Sequence, residues 1–139
     1  MAHPLYHAMS SVKKWGGRPE DYLPIHNWFD ASKAFLPDFR HRALRHHAEG
    51  IFWAEEVFGV SITNSIGKVV PVRFIGEQHV MEDLGRIPTL QDWFRNVRMQ
   101  SWMTRIGERN VGREVHNDPA ATGGSEVNGN GQKNSNDTP

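Results

Sequence analysis

Apolar residues recur with a helical period over most of the first hundred positions, interrupted once by a stretch that alternates as a strand does. At about 100° per residue, Leu5, Ala8, Met9, Val12 and Trp15 share one face, opened by Pro4 and stopped by Gly16-Gly17. His7, Ser11 and Lys14 fall on the opposite, wetter face. Pro19 and Pro24 punctuate a second helical stretch in which Ile25, Phe29 and Leu36 lie together and His26 stands one turn before Asp30. Pro37 ends it, and Asp38 is placed to cap a third and longest helix over residues 38–58. There Phe39, Ala43, Leu44, Ile51, Ala54, Val57 and Phe58 form the apolar face. Asp38, Arg42, Arg45, Glu49 and Glu56 gather opposite, with Asp38 to Arg42 and Arg45 to Glu49 as i,i+4 ion pairs. His47 lands on the apolar face beside Gly50, which makes a notch that another segment or a ligand can approach.

After Gly59 the period changes. Residues 60–63 and 68–75 read as the strands of a hairpin turned at 64–67, with Pro71 confining its strand to an edge or a bulge. Residues 77–84 then form a short helix stopped by Gly85. Thr89 and Asp92 stand in capping-box spacing at the head of a last helix whose buried face is Leu90, Trp93, Phe94 and Val97. The expected fold is α+β, mainly α: a single compact helical domain over residues 1–103 with one small β-hairpin. Residues 104–139 follow as a flexible tail. From 117 to 139 there are five asparagines and four glycines against two alanines and one valine, too little apolar surface to offset the entropy of ordering.

Composition narrows the function classes. The 139 residues carry 16 basic and 16 acidic side chains, so no long-range field draws a polyanion, and a nucleic-acid duplex is disfavoured as a partner. With no cysteine, disulfides, thiolate metal sites and a cysteine nucleophile are all excluded, and any metal must be held by His, Asp and Glu. No stretch approaches the roughly 20 apolar residues of a membrane span. The chain is expected to be soluble and cytoplasmic.

The blocks Ile25-His-Asn-Trp-Phe-Asp-Ala-Ser-Lys33, Phe39-Arg-His-Arg-Ala-Leu-Arg-His-His-Ala-Glu-Gly-Ile-Phe52, Ile75-Gly-Glu-Gln-His-Val80 and Glu82-Asp-Leu-Gly-Arg-Ile-Pro88 resemble a family of small uncharacterised proteins. This is a domain of unknown function found in bacteria, their phages and mobile elements. The likeness covers roughly residues 1–103 and implies a fold unit, with no catalytic residue to carry over.

The chemistry therefore has to be read from the residues. Seven of the eight histidines lie within the first 79 positions. His46-x-x-Glu49 and His79-x-x-Glu82 place an imidazole and a carboxylate one helical turn apart, and His26-x-x-x-Asp30 and His79-x-x-x-Asp83 do so at i,i+4, spacings from which one helix supplies two metal ligands. No zincin motif and no adjacent His-Asp pair is present, and Glu49 can instead pair with Arg45 while Glu82 and Asp83 remain solvated. His47 can likewise be a core histidine bonded to a carbonyl, or meet His26, Asp30 and His79 in the notch. Ser-x-x-Lys occurs twice in residues 10–14 without the other elements of a serine acyl-enzyme, and reads as exposed helix surface. Arginines interspersed with Trp28, Trp53 and Trp93 suit a small phosphorylated ligand better than a duplex.

Together these features predict a His/carboxylate pocket. Its metal ligands would be His26, Asp30, His46, His47 and His79, holding a divalent ion such as Zn, Mn or Fe. His47, Gly50, Trp28 and Arg73 would hold a small-molecule ligand. Hydrolysis by a metal-activated water is the chemistry that pocket would support. The alternative is a non-enzymatic protein- or nucleic-acid-binding accessory factor of a phage or mobile element, recognising a protein partner through exposed Trp and Arg.

Overall fold

Helix α1 (Pro4–Trp15) starts where its proline places it, with His3 at the N-cap accepting a hydrogen bond from the Leu5 N–H. In this computed structural model, which describes residues 3–105, the helix is nevertheless turned so that polar side chains face inward. His7 and Ser11 are buried with Pro4 and Ala8, whereas Leu5 and Met9 are exposed. Of the expected wet face, His7 and Ser11 turn inward and Lys14 is exposed, while Ala8, Val12 and Trp15 of the expected apolar face do meet the core. His7 and Ser11 can be buried because α1 packs against α2 (Leu23–Asp30) and α4 (Val72–Leu84), which offer them polar partners.

A 3-10 turn (Pro19–Asp21) leads into α2, which buries Ile25, His26, Phe29 and Asp30 and runs on as a second 3-10 turn (Ala31–Ala34). The predicted third helix is two elements. Asp38 caps a 3-10 helix (Phe39–Leu44), and α3 begins only at Ala48 and ends at Phe58. Between them the chain is extended at His47, whose ring Nδ1 accepts from the Gly50 N–H at 2.9 Å, so His47 is the N-cap of α3. A 3-10 helix has three residues per turn rather than 3.6, and the face assignment changes accordingly. His41 and Arg42 are buried while Phe39 and Leu44 are exposed. The expected i,i+4 ion pairs do not form: Asp38 pairs with Arg40 at 2.7 Å, Arg45 donates to the Trp28 carbonyl, and Glu49 accepts from the Leu90 N–H.

The hairpin is short. Strand β1 (Ser61–Thr63) pairs antiparallel with β2 (Val69–Pro71), Ile62 opposite Val70, around a turn at Asn64 to Gly67. Pro71 ends the ladder, and α4 starts at the very next residue, five positions earlier than the expected start at Glu77. Within α4 a Cβ on Gly76 would stand 2.9 Å from Phe29 and 3.3 Å from Ile51, so glycine there lets α4 close onto α2 and α3. Gly85 ends α4 in the left-handed conformation. The Thr89 and Asp92 capping box forms and opens α5 (Leu90–Phe94). Leu90 and Phe94 are exposed, contrary to expectation, and Trp93 anchors the helix by donating Nε1–H to the His46 carbonyl at 2.9 Å.

The chain divides into one unit ending at Asn96 and a second from Val97, in which a 3-10 turn (Ser101–Met103) is the one described element. Residues 106–139, most of the expected tail, lie outside the described residues. No helix among the described residues is long and apolar enough to cross a membrane. The first unit has an unusual interior. Ten buried apolar side chains, among them Tyr22, Ile25, Phe29, Ile51, Ile75 and Val80, share it with twelve buried polar or charged ones, six of them histidines. Burying so many polar groups costs free energy unless each finds a partner, which directs attention to how they are arranged.

Candidate metal centre

Three helices and the break before α3 converge on one point. α2 contributes His26 and Asp30 and α4 contributes His79 and Asp83, each pair one turn apart as the i,i+4 spacing requires. His41 and Arg42 come from the 3-10 helix, His46 from the segment linking it to α3, and His7 from α1. The break before α3 turns His46 toward α2 and α4.

Asp30, His46, His79 and Asp83 bring one donor atom each within 4.8 Å of all the others, a grouping that could hold a metal ion. His46 Nε2 lies 3.5 Å from Asp30 Oδ1 and 3.0 Å from Asp83 Oδ2. His79 Nε2 lies 3.4 Å from each of the same two oxygens. These are the separations expected of ligands sharing one ion: donors bound at 2.0 to 2.1 Å in a tetrahedron stand about 3.3 to 3.4 Å apart. Only the 3.0 Å contact of His46 with Asp83 is a hydrogen bond; the others are long for one, and both Asp30 oxygens and His79 Nε2 have no hydrogen-bond partner. The four side chains are almost wholly shielded, none more than 6% exposed.

A chain of hydrogen bonds sets the tautomer of His79. The Gln78 amide nitrogen faces two acceptors, the His7 carbonyl and Glu82 Oε1, so its oxygen faces Ser11 and accepts the Ser11 hydroxyl at 2.7 Å. Ser11 Oγ in turn accepts from His26 Nε2–H at 2.9 Å. Burial, with the neighbouring His79 and His7, pushes the His26 pKa down to about 2, so the ring is neutral and its other nitrogen carries a lone pair. That nitrogen, Nδ1, accepts from His79 Nδ1–H at 2.9 Å. In its neutral form His79 is left with a bare lone pair on Nε2, aimed at two carboxylates. His41 is fixed in the same sense: Nδ1–H donates to the Asp38 carbonyl at 2.8 Å, and Nε2, without a partner, faces Asp30 Oδ1 at 3.7 Å.

Both aspartates are ionised. Burial by itself would raise their pKa values, but the imidazoles beside them, His46 first for both and His7 next for Asp83, outweigh it and hold both well below the usual carboxylate range. Two buried carboxylates this close repel by about 3 kcal/mol even at an effective dielectric constant of 20. His7 answers part of that charge, donating Nδ1–H to Glu82 at 2.7 Å with Nε2 at 3.2 Å from Asp83. Burial disfavours its charged form, yet the two carboxylates together raise its pKa. Glu82 and the buried Gln78 also line a groove of about 560 Å³ walled by Trp15, Phe74, Met81 and Ile87, so the carboxylate that holds His7 also reaches the surface.

Of the sequence-predicted ligands, Asp30, His46 and His79 meet in the cluster. His26 stands behind His79 and orients it, both of its nitrogens being engaged. His47 does not reach the cluster, because its ring is committed on both sides, to the Gly50 N–H and the Leu44 carbonyl. The notch at Gly50 is filled by this chain itself: a Cβ there would collide with the Arg45 carbonyl, so no ligand wall exists at that point. Trp28 is covered by the Arg45 guanidinium and stands edge-on to Trp53, and Arg73 is exposed, pairs with Glu77 and takes no part. Glu49 and Glu82, each three residues after a histidine, point elsewhere. In the sequence Asp83 stands out only by its spacing from His79, the helical period puts His7 and Arg42 on wet faces, and nothing marks His41. Their signal lay in mutual proximity across elements, which no periodicity reports.

The model of the family described as Domain of unknown function (DUF6915) matches residues 2–103. The chain belongs to this family. The match spans every element of the first unit and all the residues of the cluster. No curated protein and no solved structure matches the chain.

Proposed function

We propose that this protein binds a divalent metal ion between Asp30, His46, His79 and Asp83, with His41 as a fifth donor. The observation that carries the reading is His79 Nε2: the relay through Gln78, Ser11 and His26 leaves a lone pair, not an N–H, facing two ionised carboxylates. One cation at that point turns the two repulsive contacts of His79 into coordinate bonds, takes the place of the His46 hydrogen bond to Asp83, and satisfies the unpartnered oxygens of Asp30 as well. Imidazole and carboxylate donors suit zinc, manganese and iron. Five donors, two of them carboxylates, favour manganese or iron over the four-coordinate tetrahedron of a structural zinc site. Hydrolysis by a metal-activated water is the reaction class we assign to such an ion.

The experiment is thermal melting of the full chain with and without chelator, followed by re-addition of zinc, manganese or iron. An ion bound only by the folded state raises the melting temperature by mass action, and chelation lowers it. A melting temperature indifferent to chelator and to all three metals contradicts the reading.

A further inference from the structure

Arg42 stands at the edge of the cluster, its one counter-charge a loose ion pair with Asp83. Its side chain is 10% exposed, Nη2 lies 3.6 Å from Asp83 Oδ1, beyond hydrogen-bond reach, and Nε has no hydrogen-bond partner. The aliphatic and planar parts lie against Phe39, the guanidinium carbon 4.8 Å from that ring centre. Arginine stays protonated under all ordinary conditions, so this is a permanent buried positive charge.

The charge count of the loaded site shows what is missing. Asp30 and Asp83 together carry two negative charges, which a divalent ion cancels. Glu82 is turned away to His7, Ser10 and Gln78. Arg42 is then left as the uncompensated charge, and leaving a charge buried and unpaired is among the costliest defects a fold can carry. An anion that touches both the ion and the guanidinium removes it.

We infer that the metal centre has an oxyanion subsite built on Arg42, and that its ligand is a phosphate group. This rests on the metal reading above and adds the chemical class of what binds there. A tetrahedral oxyanion can set one oxygen on the ion and keep three for the planar guanidinium fork, whereas a carboxylate has one left. The orphaned Nε donor of Arg42 gains an acceptor in the same step. Placing an arginine beside a metal ion is the arrangement by which proteins hold phosphoryl oxygens.

The test uses the full chain loaded with cobalt(II), whose visible absorption reports the coordination of the ion, titrated with inorganic phosphate and, separately, with acetate. Phosphate should alter the cobalt spectrum saturably and acetate only weakly. Arg42→Gln should retain cobalt while binding phosphate at least about tenfold more weakly, with Arg42→Lys in between. Should Arg42→Gln fail to fold, the parent titration and Arg42→Lys still decide. Cobalt taken up with phosphate inert, acetate binding as well as phosphate, or Arg42→Gln binding phosphate as tightly as the parent would each overturn the subsite and leave the metal site standing. A chain that takes up no cobalt overturns both.

Discussion

His79 and Asp30 face each other at 3.4 Å, Nε2 to Oδ1, without a hydrogen bond between them. Phe29 stacks on the imidazole with ring centres 5.0 Å apart, and His26 holds its far nitrogen, so the ring cannot turn away. Asp30, at the end of α2, is buried with both of its oxygens unpartnered. Two acceptors held face to face away from water repel each other in isolation and become a ligand pair around a cation, and His79 faces Asp83 Oδ2 at the same distance.

Ser11 is the link through which Gln78 sets the tautomers of His26 and His79. Ser11→Ala leaves the Gln78 oxygen and His26 Nε2 buried without partners, which should cost about 1 to 3 kcal/mol. Removing an outer-shell partner of this kind should also weaken metal binding by about 10- to 100-fold. Denaturant unfolding and a metal-competition titration read the two effects separately. A variant that loses stability with unchanged metal affinity would show that the relay has no influence on the ligand.

Acid should destabilise the metal-free protein through His26. The unfolded chain protonates this residue around pH 6.5, while the folded chain resists until about pH 2. Between those values the unfolded state holds more protons, so stability is fully present above pH 6.5 and falls as pH drops below it, by up to about 1.4 kcal/mol per pH unit for one proton. Urea unfolding of chelator-treated protein at pH 7 and pH 5 should show that loss, and His26→Gln should flatten it. Equal pH slopes in parent and variant would assign the acid sensitivity to other groups.

Gly50 sits where the Arg45 carbonyl closes the start of α3. Gly50→Ala removes a helix-interior glycine, which alone would favour the helix by up to about 1 kcal/mol. The added methyl meets backbone, which cannot turn aside as a side chain can, and the expected net effect is a loss of about 1 to 3 kcal/mol. Thermal melting of the variant decides the sign, and a neutral or stabilised protein would mean that the Arg45 carbonyl yields freely.

Much of the fold was legible in the chain because its stops are chemical. Pro4, Gly16, Gly85 and the Thr89 and Asp92 box each mark an end that the structure keeps. The third helix misled because residues 38–58 keep a plausible 3.6 period, while the break depends on a tertiary event, the Arg45 carbonyl packing on Gly50 with His47 capping the next helix. α1 misled for a related reason. Amphipathic reading assumes an apolar interior, and here the interior facing α1 is polar, with Gln78, Glu82 and His26 as partners for His7 and Ser11. Within the site, Asp30 and His79 could be found from their i,i+4 spacing, whereas His41 and Arg42 could not, since they lie on a 3-10 helix whose inward face the 3.6 period does not give.

If the cluster is a metal centre and His47 a helix cap, metal content depends on His79 and not on His47. Elemental analysis of the purified full chain beside His79→Ala and His47→Ala tests it most directly. Stoichiometric manganese, iron or zinc is expected in the parent, the same content in His47→Ala despite a lower melting temperature, and none in His79→Ala. A parent without stoichiometric metal, or a His79→Ala variant that retains it, would contradict the account.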